Sequence, residues 1–268
     1  MSKYITHFQT EAAYQAALPN LDLPNVSLVD EFNEVHYHRA LYNAHAGDIC
    51  LYDVAEGQKI FVASADWNLT DYPTASYPIV GVAVTNESTN GVIVVSNKLV
   101  NTDGSPGISV DNKFAWQTTI TVDWGLTKYT VPTEIENDNN GKSNTNTIIA
   151  ALHAYDTQHS TDNFNGTVAD IITKFHVDGT VAGDWYIPSG GEAVLLLTNF
   201  SAIGTSLNKI YNTSASLGCD ANTIVKGGNI WTSTEYSGSY AWVKWGNNTN
   251  RSYQYKVDFQ YVRPFILI

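Results

Sequence analysis

The apolar period changes twice along the chain, and this limits the fold to a mixture of helices and short strands. Up to about residue 131 the apolar residues come in brief runs, many rich in Val and Ile, between turn residues. Strands are predicted at Val26–Val29 and at residues 48–52, 60–63, 79–84, 91–95, 117–122 and 129–131. Between residues 147 and 207 the spacing becomes helical, as in Val168, Ile171, Ile172 and Phe175. After Cys219 it returns to strands at residues 229–232, 240–245, 253–261 and 262–268, and Ser252 to Tyr261 alternates polar and apolar without exception. The expected class is α+β, with helices placed before a late group of strands.

Local signals refine this outline. Residues 3–18 read as a short helix closed by Pro19, and residues 134–146 as an Asn-rich loop. Ser189-Gly-Gly-Glu192 has the form of a capping box, a serine cap with an acid three residues on, ahead of an apolar run. A helix should start there and extend towards Leu207. The turn-rich stretch Asn101-Thr-Asp-Gly-Ser-Pro-Gly107 is the best boundary, giving a small β-rich N-terminal domain (1–106) and a second domain (107–268).

Composition excludes several functions. Of 268 residues, 26 are acidic and 14 basic, and a net charge of −12 argues against a nucleic-acid partner. No run of about 18 apolar residues occurs, so membrane insertion is not expected. The first twenty residues contain no usual signal peptide, which points to synthesis in the cytoplasm. Two cysteines, Cys50 and Cys219, supply neither a disulfide framework nor a structural zinc site. Gly141-Lys142-Ser143 lacks the upstream glycine of a phosphate loop, where Glu136 stands instead. His36, His38 and His45 have no Cys or carboxylate at ligand spacing. Nothing assembles a triad or a pair of catalytic acids, so no enzyme, metal or cofactor is expected.

Charge and aromatic content single out the C-terminus. From Lys226 onward there are five basic and two acidic residues, so this segment carries +3 and the remainder −15. The segment holds Trp231, Trp242 and Trp245, and five tyrosines lie between Tyr236 and Tyr261 among Ser, Asn and Gly. Adaptable binding loops have that composition, because Tyr and Trp give contact area at low entropic cost. Antiparallel strands with aromatic cross-strand pairs account for it equally well.

The motifs Trp185-Tyr-Ile-Pro-Ser-Gly-Gly-Glu192, residues 199–210, Trp231-Thr-Ser-Thr-Glu235, Ala241-Trp242 and Val262-Arg-Pro264 occur in an order that resembles a known family. These are the C-type-lectin-fold variable proteins of diversity-generating retroelements, of the major-tropism-determinant kind. In that family a reverse transcriptase rewrites a C-terminal stretch by mutating template adenines, mainly in Asn-type codons. The phage members are receptor-binding tail proteins. The resemblance covers roughly residues 107–268. Gly47-Asp-Ile-Cys-Leu-Tyr-Asp53 and Leu69-Thr-Asp-Tyr-Pro73 resemble the leader regions of such proteins in phages of gut bacteria.

The resemblance implies a C-type-lectin-like domain with Trp231, Ser233, Glu235, Ala241, Trp242, Gly246, Arg263 and Pro264 as fixed framework. It implies outward-facing, ligand-binding positions at Tyr236, Ser237, Ser239, Tyr240, Val243, Asn247, Asn250, Ser252, Tyr253, Tyr255, Val257, Asp258 and Phe259. Gln254 and Gln260 cannot arise from a mutated Asn codon and are left out. The cysteine pairs and calcium–sugar motifs of animal C-type lectins are missing, so calcium-dependent sugar binding is not implied. The formylglycine-generating enzymes share the fold but depend on paired active-site cysteines, which lone Cys219 cannot supply. The implied protein is a virion tail component whose partners are a host-surface protein or glycan and other virion proteins, with a homo-oligomer compatible. The alternatives are a structural virion protein with its aromatic C-terminus packed on a neighbour, and a bacterial surface-displayed variable protein.

Overall fold

A computed structural model describes residues 43–118, 122–224, 229–245 and 251–268, together with the backbone of two earlier strands; the side chains of Trp245 and Arg251 are outside the description. The chain divides into two compact units, Met1–Asn43 and Ala44–Ile268. In the first unit β1 (Val26–Val29) pairs antiparallel with β2 (Val35–His38). The helix expected at residues 3–18 lies outside the described residues, as do the side chains of His36 and His38 on β2.

The second unit is α+β. Its first sheet contains β3 (Ile49–Asp53), β4 (Gln58–Val62), β5 (Ile79–Ala83) and β6 (Ile93–Ser96). All five residues of β5 are buried, because both faces of this sheet are covered and its sequence is accordingly apolar throughout. A two-stranded ladder joins β7 (Leu99–Val100) to β8 (Pro106–Gly107), and β9 (Lys113–Phe114) follows. The stretch at 101–107 is therefore a tight turn inside the second unit. The compact units divide at residue 43, and the boundary expected at 106 falls within one of them.

The helices form where apolar spacing and caps agree. In α1 (Gly141–His159), Thr145, Ile148 and Leu152 are buried three and four residues apart, and the helix ends at Ser160 in the left-handed region. The Thr167 side chain caps α2 (Val168–Lys174) by accepting from the Asp170 N–H. The expected capping box is present at α3 (Gly190–Thr198): Ser189 Oγ accepts from the Glu192 N–H, and Glu192 Oε2 accepts from the Ser189 N–H at 2.8 Å. The two glycines after Ser189 admit the 3-10 turn Glu134–Asn137 across the helix start. A Cβ on Gly190 would sit 2.7 Å from the Ile135 carbonyl oxygen. Instead of continuing to Leu207, the helix breaks at Asn199 and α4 (Phe200–Thr213) begins, burying Ile203, Leu207 and Ile210. A single turn, α5 (Ala221–Ile224), follows.

The late strands are β10 (Asn229–Glu235), β11 (Tyr240–Trp245), β12 (Arg251–Tyr255), β13 (Gln260–Tyr261) and β14 (Phe265–Leu267). The second sheet has the order β12-β11-β10-β13-β9, with β10 and β13 parallel and the other neighbours antiparallel. β14 leaves it to pair with β6, giving the first sheet the order β14-β6-β5-β3-β4. One core cluster combines Cys50, Val80 and Val94 with Trp116, Ile171, Trp231 and Val243. The other combines Ile49 and Val82 with Leu207, Ile210 and Phe265.

Three local expectations differ. The start of α1 is helix rather than the expected loop, and Thr145 secures it by donating to the Ile187 carbonyl and accepting from the Ile187 N–H. Tyr129 lies beside β10 without forming a strand; its N–H donates to the Glu235 carbonyl and its neighbour Lys128 makes an isolated bridge. Likewise Trp116 and Gln117 both donate N–H groups to the Lys256 carbonyl rather than entering a ladder, and residues 119–121 lie outside the described residues.

Candidate functional site

Strand register explains how the tyrosines come together. The pairs Tyr240↔Tyr255 and Trp242↔Tyr253 are directly opposite on β11 and β12. Lys256 donates its N–H to the Ser239 carbonyl, so the alternation makes 240/255 and 242/253 the non-hydrogen-bonded pairs, in which side chains approach most closely. Their rings accordingly meet, at 4.1 Å between the Tyr240 and Tyr255 centroids and 5.7 Å between Trp242 and Tyr253. Tyr236 reaches back from the connecting turn to stack on Tyr253 at 4.0 Å and 10°. Tyr236, Tyr240, Tyr253 and Tyr255 thus form one continuous aromatic row.

Trp242 lies beneath this row and is 1% exposed, while Tyr253 and Tyr255 are 43% and 44% exposed. Its indole N–H donates to the Tyr129 carbonyl at 2.7 Å, fixing the ring under the tyrosines. Neighbouring hydroxyls act on one another. Hydrogen bonding to Tyr255 pushes the Tyr240 phenol up to about 12, and Tyr253 raises that of Tyr236. Both phenols therefore remain protonated and able to donate at neutral pH.

The turn carrying Tyr236, Ser237 and Ser239 is held from below by a buried cation. The Lys256 ammonium, 0% exposed, donates to Glu235 Oε1 at 2.5 Å and to the Gly238 and Val122 carbonyls at 3.0 and 3.1 Å. It also lies 3.8 Å from the Trp124 ring centroid. Glu235 is equally buried, and its Oε1 also accepts from the Trp124 N–H. Beside this group, the exposed pair Lys128–Asp123 flanks the turn at 2.9 Å.

Burial lowers the Lys256 pKa to about 8, against the opposing pull of Glu235. The unfolded chain, with lysine near its ordinary 10.5, binds the proton more readily than the folded chain between pH 8 and 10.5. This group's contribution to stability therefore rises with pH across that window. Denaturant unfolding of the native protein and Lys256→Met at about pH 7.5, 8.5 and 9.5 should show their stability difference changing by that slope.

The other side of β11 belongs to the core. Ala241 and Val243 pack with Trp116 and Trp231, so Val243, expected to face outward, is 0% exposed. Alternation leaves it no choice once Trp242 supports the tyrosines. Ser237, Ser239, Ser252, Val257 and Asp258 are half-buried around the row, and Phe259 is 65% exposed. Asn247, Asn250 and Gly246 lie outside the described residues. The framework positions Trp231, Ser233, Glu235, Ala241, Arg263 and Pro264 are all buried. Arg263 uses its donors fully, pairing both guanidinium N–H arms with Asp111 and reaching the Ile224, Val262 and Thr223 carbonyls.

Reading the sequence by itself misses Lys256, Trp124 and Tyr129. Lys256 offers no signal, because it occupies a polar position of the alternating run, where a half-buried strand would leave it in water. Among the described residues no three His, Cys, Asp or Glu side chains gather as a metal site, and no helix is long and apolar enough to cross a membrane. Both cysteines are buried free thiols. A Cβ on Gly141 would lie 2.0 Å from Glu192 Oε2, so the start of α1 packs directly against that carboxylate.

No protein-family model matches the chain, and no curated protein does. Among solved structures, a fimbrial protein from Bacteroides ovatus is similar at 17% identity with a TM-score of 0.40. The match covers 92% of this chain and 49% of that one, so the chain spans about half the length of that protein. A likeness at that level carries no argument about function.

Proposed function

We propose that the chain is a hypervariable ligand-binding protein, diversified by a retroelement and carried on a phage tail. Within the unit Ala44–Ile268, residues from about 107 onward would supply the C-type-lectin-like ligand-binding part, and earlier residues would attach the protein to other virion proteins or join copies of it. The ligand is a molecule on the host surface, met by the tyrosine row and its surrounding serines. One observation carries the reading. Four tyrosines share an accessible face above buried Trp242, while framework positions of the resembled family are inside. Such a division allows side chains on the face to change without altering what holds the strands.

Sequencing the DNA that flanks the reading frame tests the proposal. The expected result is a near-identical repeat of the codons for residues 230–265, richer in adenine, beside a reverse transcriptase gene. Flanks with neither would remove the retroelement from the account.

A further inference from the structure

We infer that the second unit holds a small-molecule site separate from the tyrosine row, a cavity that takes a zwitterionic α-amino acid with an aliphatic side chain. The cavity measures about 480 Å³, within the range of small-ligand sites. It collects Lys98, His176 and Asp178 together with the apolar residues Ile79, Val177 and Leu217. None of the tyrosines of the row lines it, so the inference is independent of the function proposed above.

Segments far apart in sequence build the walls, and each is held in place. Lys98 stands in the short turn between β6 and β7, where its N–H donates to Ser96 Oγ at 3.0 Å. Its buried neighbour Asn97 donates its side-chain amide to the Leu217 carbonyl at 2.7 Å and accepts the Cys219 N–H on its own carbonyl. These bonds fix Leu217 beside the first sheet. After α2, the Val177 N–H donates to Thr180 Oγ1 and the Thr180 N–H to the Val177 carbonyl, closing a turn. Gly179, at a φ of +80°, lets that turn press on β3, since a Cβ there would lie 2.3 Å from Tyr52 Cβ. A cavity fixed in this way needs little ordering when a ligand enters.

The lining carries charges of both signs that do not meet. Lys98 is half-buried, and its ammonium donates to the Ser216 carbonyl at 2.8 Å. Among the described residues no ion pair joins it to Asp178, whose side chain is exposed. Burial lowers the Lys98 pKa, and Asp178 is close enough to oppose that shift, so the two charges face each other across a gap. A ligand with a carboxylate and an ammonium on one carbon bridges such a gap, its carboxylate on Lys98 and its ammonium on Asp178. His176 adds an acceptor for the ammonium. Its Nδ1 lies 2.9 Å from the Lys174 carbonyl, so in the neutral ring Nδ1 holds the proton and Nε2 accepts. Ile79, Val177 and Leu217 then receive the aliphatic side chain. Among the described residues no Phe, Tyr or Trp lines the cavity, so a sugar ring finds no face to stack on.

Amide correlation spectra of the isotope-labelled full-length protein, titrated with leucine, isocaproate (leucine without its ammonium), isoamylamine (leucine without its carboxylate) and glucose, test this. Leucine should move the amide signals of Lys98, Val177, Asp178 and Leu217 saturably and bind at least tenfold more tightly than either analogue. Lys98→Met and Asp178→Asn should each lose at least fivefold in leucine affinity, while Tyr253→Ala should leave it unchanged. No saturable movement of those signals, or equal affinity for leucine and one of its analogues, would overturn the site. Tighter binding of glucose than of leucine would overturn the choice of ligand. Loss of leucine binding in Tyr253→Ala would place the ligand on the tyrosine row and also overturn the site. Should Lys98→Met not fold, because the Ser216 carbonyl loses its donor, Asp178→Asn and the order of the ligands on the native protein still decide.

Discussion

Lys256→Met should destabilise the protein by about 3–5 kcal/mol, the cost of leaving one partner of a buried ion pair uncompensated. For a unit of this size that corresponds to a melting temperature lower by roughly 10 °C. The reason is the company Lys256 keeps. Its ammonium bonds Glu235 Oε1 and the Val122 and Gly238 carbonyls, and Lys256, Glu235 and Val122 are buried. Removing it leaves a carboxylate with only the Trp124 N–H and the more distant Lys128, whose Nζ is 3.9 Å from Oε2. Adding Glu235→Gln to Lys256→Met removes the stranded charge while retaining an acceptor for Trp124. The double variant should recover more than half of the loss in a denaturant titration. Equal destabilisation by the single and double variants would show that packing, not charge pairing, makes Lys256 indispensable.

Trp242→Ala should cost about 3–5 kcal/mol, as truncation of a large buried aromatic side chain does when surrounding groups cannot close the cavity. Two tyrosine rings contact this indole, and its N–H holds the Tyr129 carbonyl. The variant should therefore unsettle the tyrosine row as well as lower stability. Trp242→Phe separates the contributions. It keeps most of the ring contact but strands the carbonyl, at a cost of about 1–3 kcal/mol. Unfolding of both variants under the same conditions, with tyrosine fluorescence as a second readout, checks the ordering. A loss from Trp242→Ala no larger than that from Trp242→Phe would contradict the support role.

Residues whose structural causes are local are readable from the sequence. Ser189 and Glu192 cap each other within three residues, and the Val-rich runs of the first sheet signal their own burial. The start of α1 is not readable, because Gly141, Asn144 and Asn146 are poor helix formers and the decisive bond comes from Ile187, far along the chain. The alternation from Ser252 to Tyr261 predicts one long strand. The structure ends the strand at Tyr255 and turns at Asp258, whose N–H donates to the Tyr255 carbonyl. It also inverts the pattern: charged Lys256 is inside, while Tyr253, Tyr255 and Phe259 are exposed. The burial of Glu235, a position the resemblance marks only as fixed framework, gives Lys256 its place. The alternation of β11 equally explains Val243, since Trp242 and Val243 cannot occupy the same side.

On the proposed function, the tyrosine face can change while the scaffold beneath it cannot. Tolerance to randomisation measures this directly and requires no identified ligand. One displayed library would replace Tyr236, Ser237, Ser239, Tyr240, Ser252, Tyr253 and Tyr255 through codons that vary at the first two bases of an Asn codon. A control library would randomise Trp231, Ala241, Trp242, Val243 and Lys256 in the same way. Surface changes usually stay within about 0.5 kcal/mol, whereas core changes reach several. Most members of the first library should resist protease as folded proteins, while almost none of the second should. Equal depletion of the two libraries would make the tyrosine row part of the core and contradict the account.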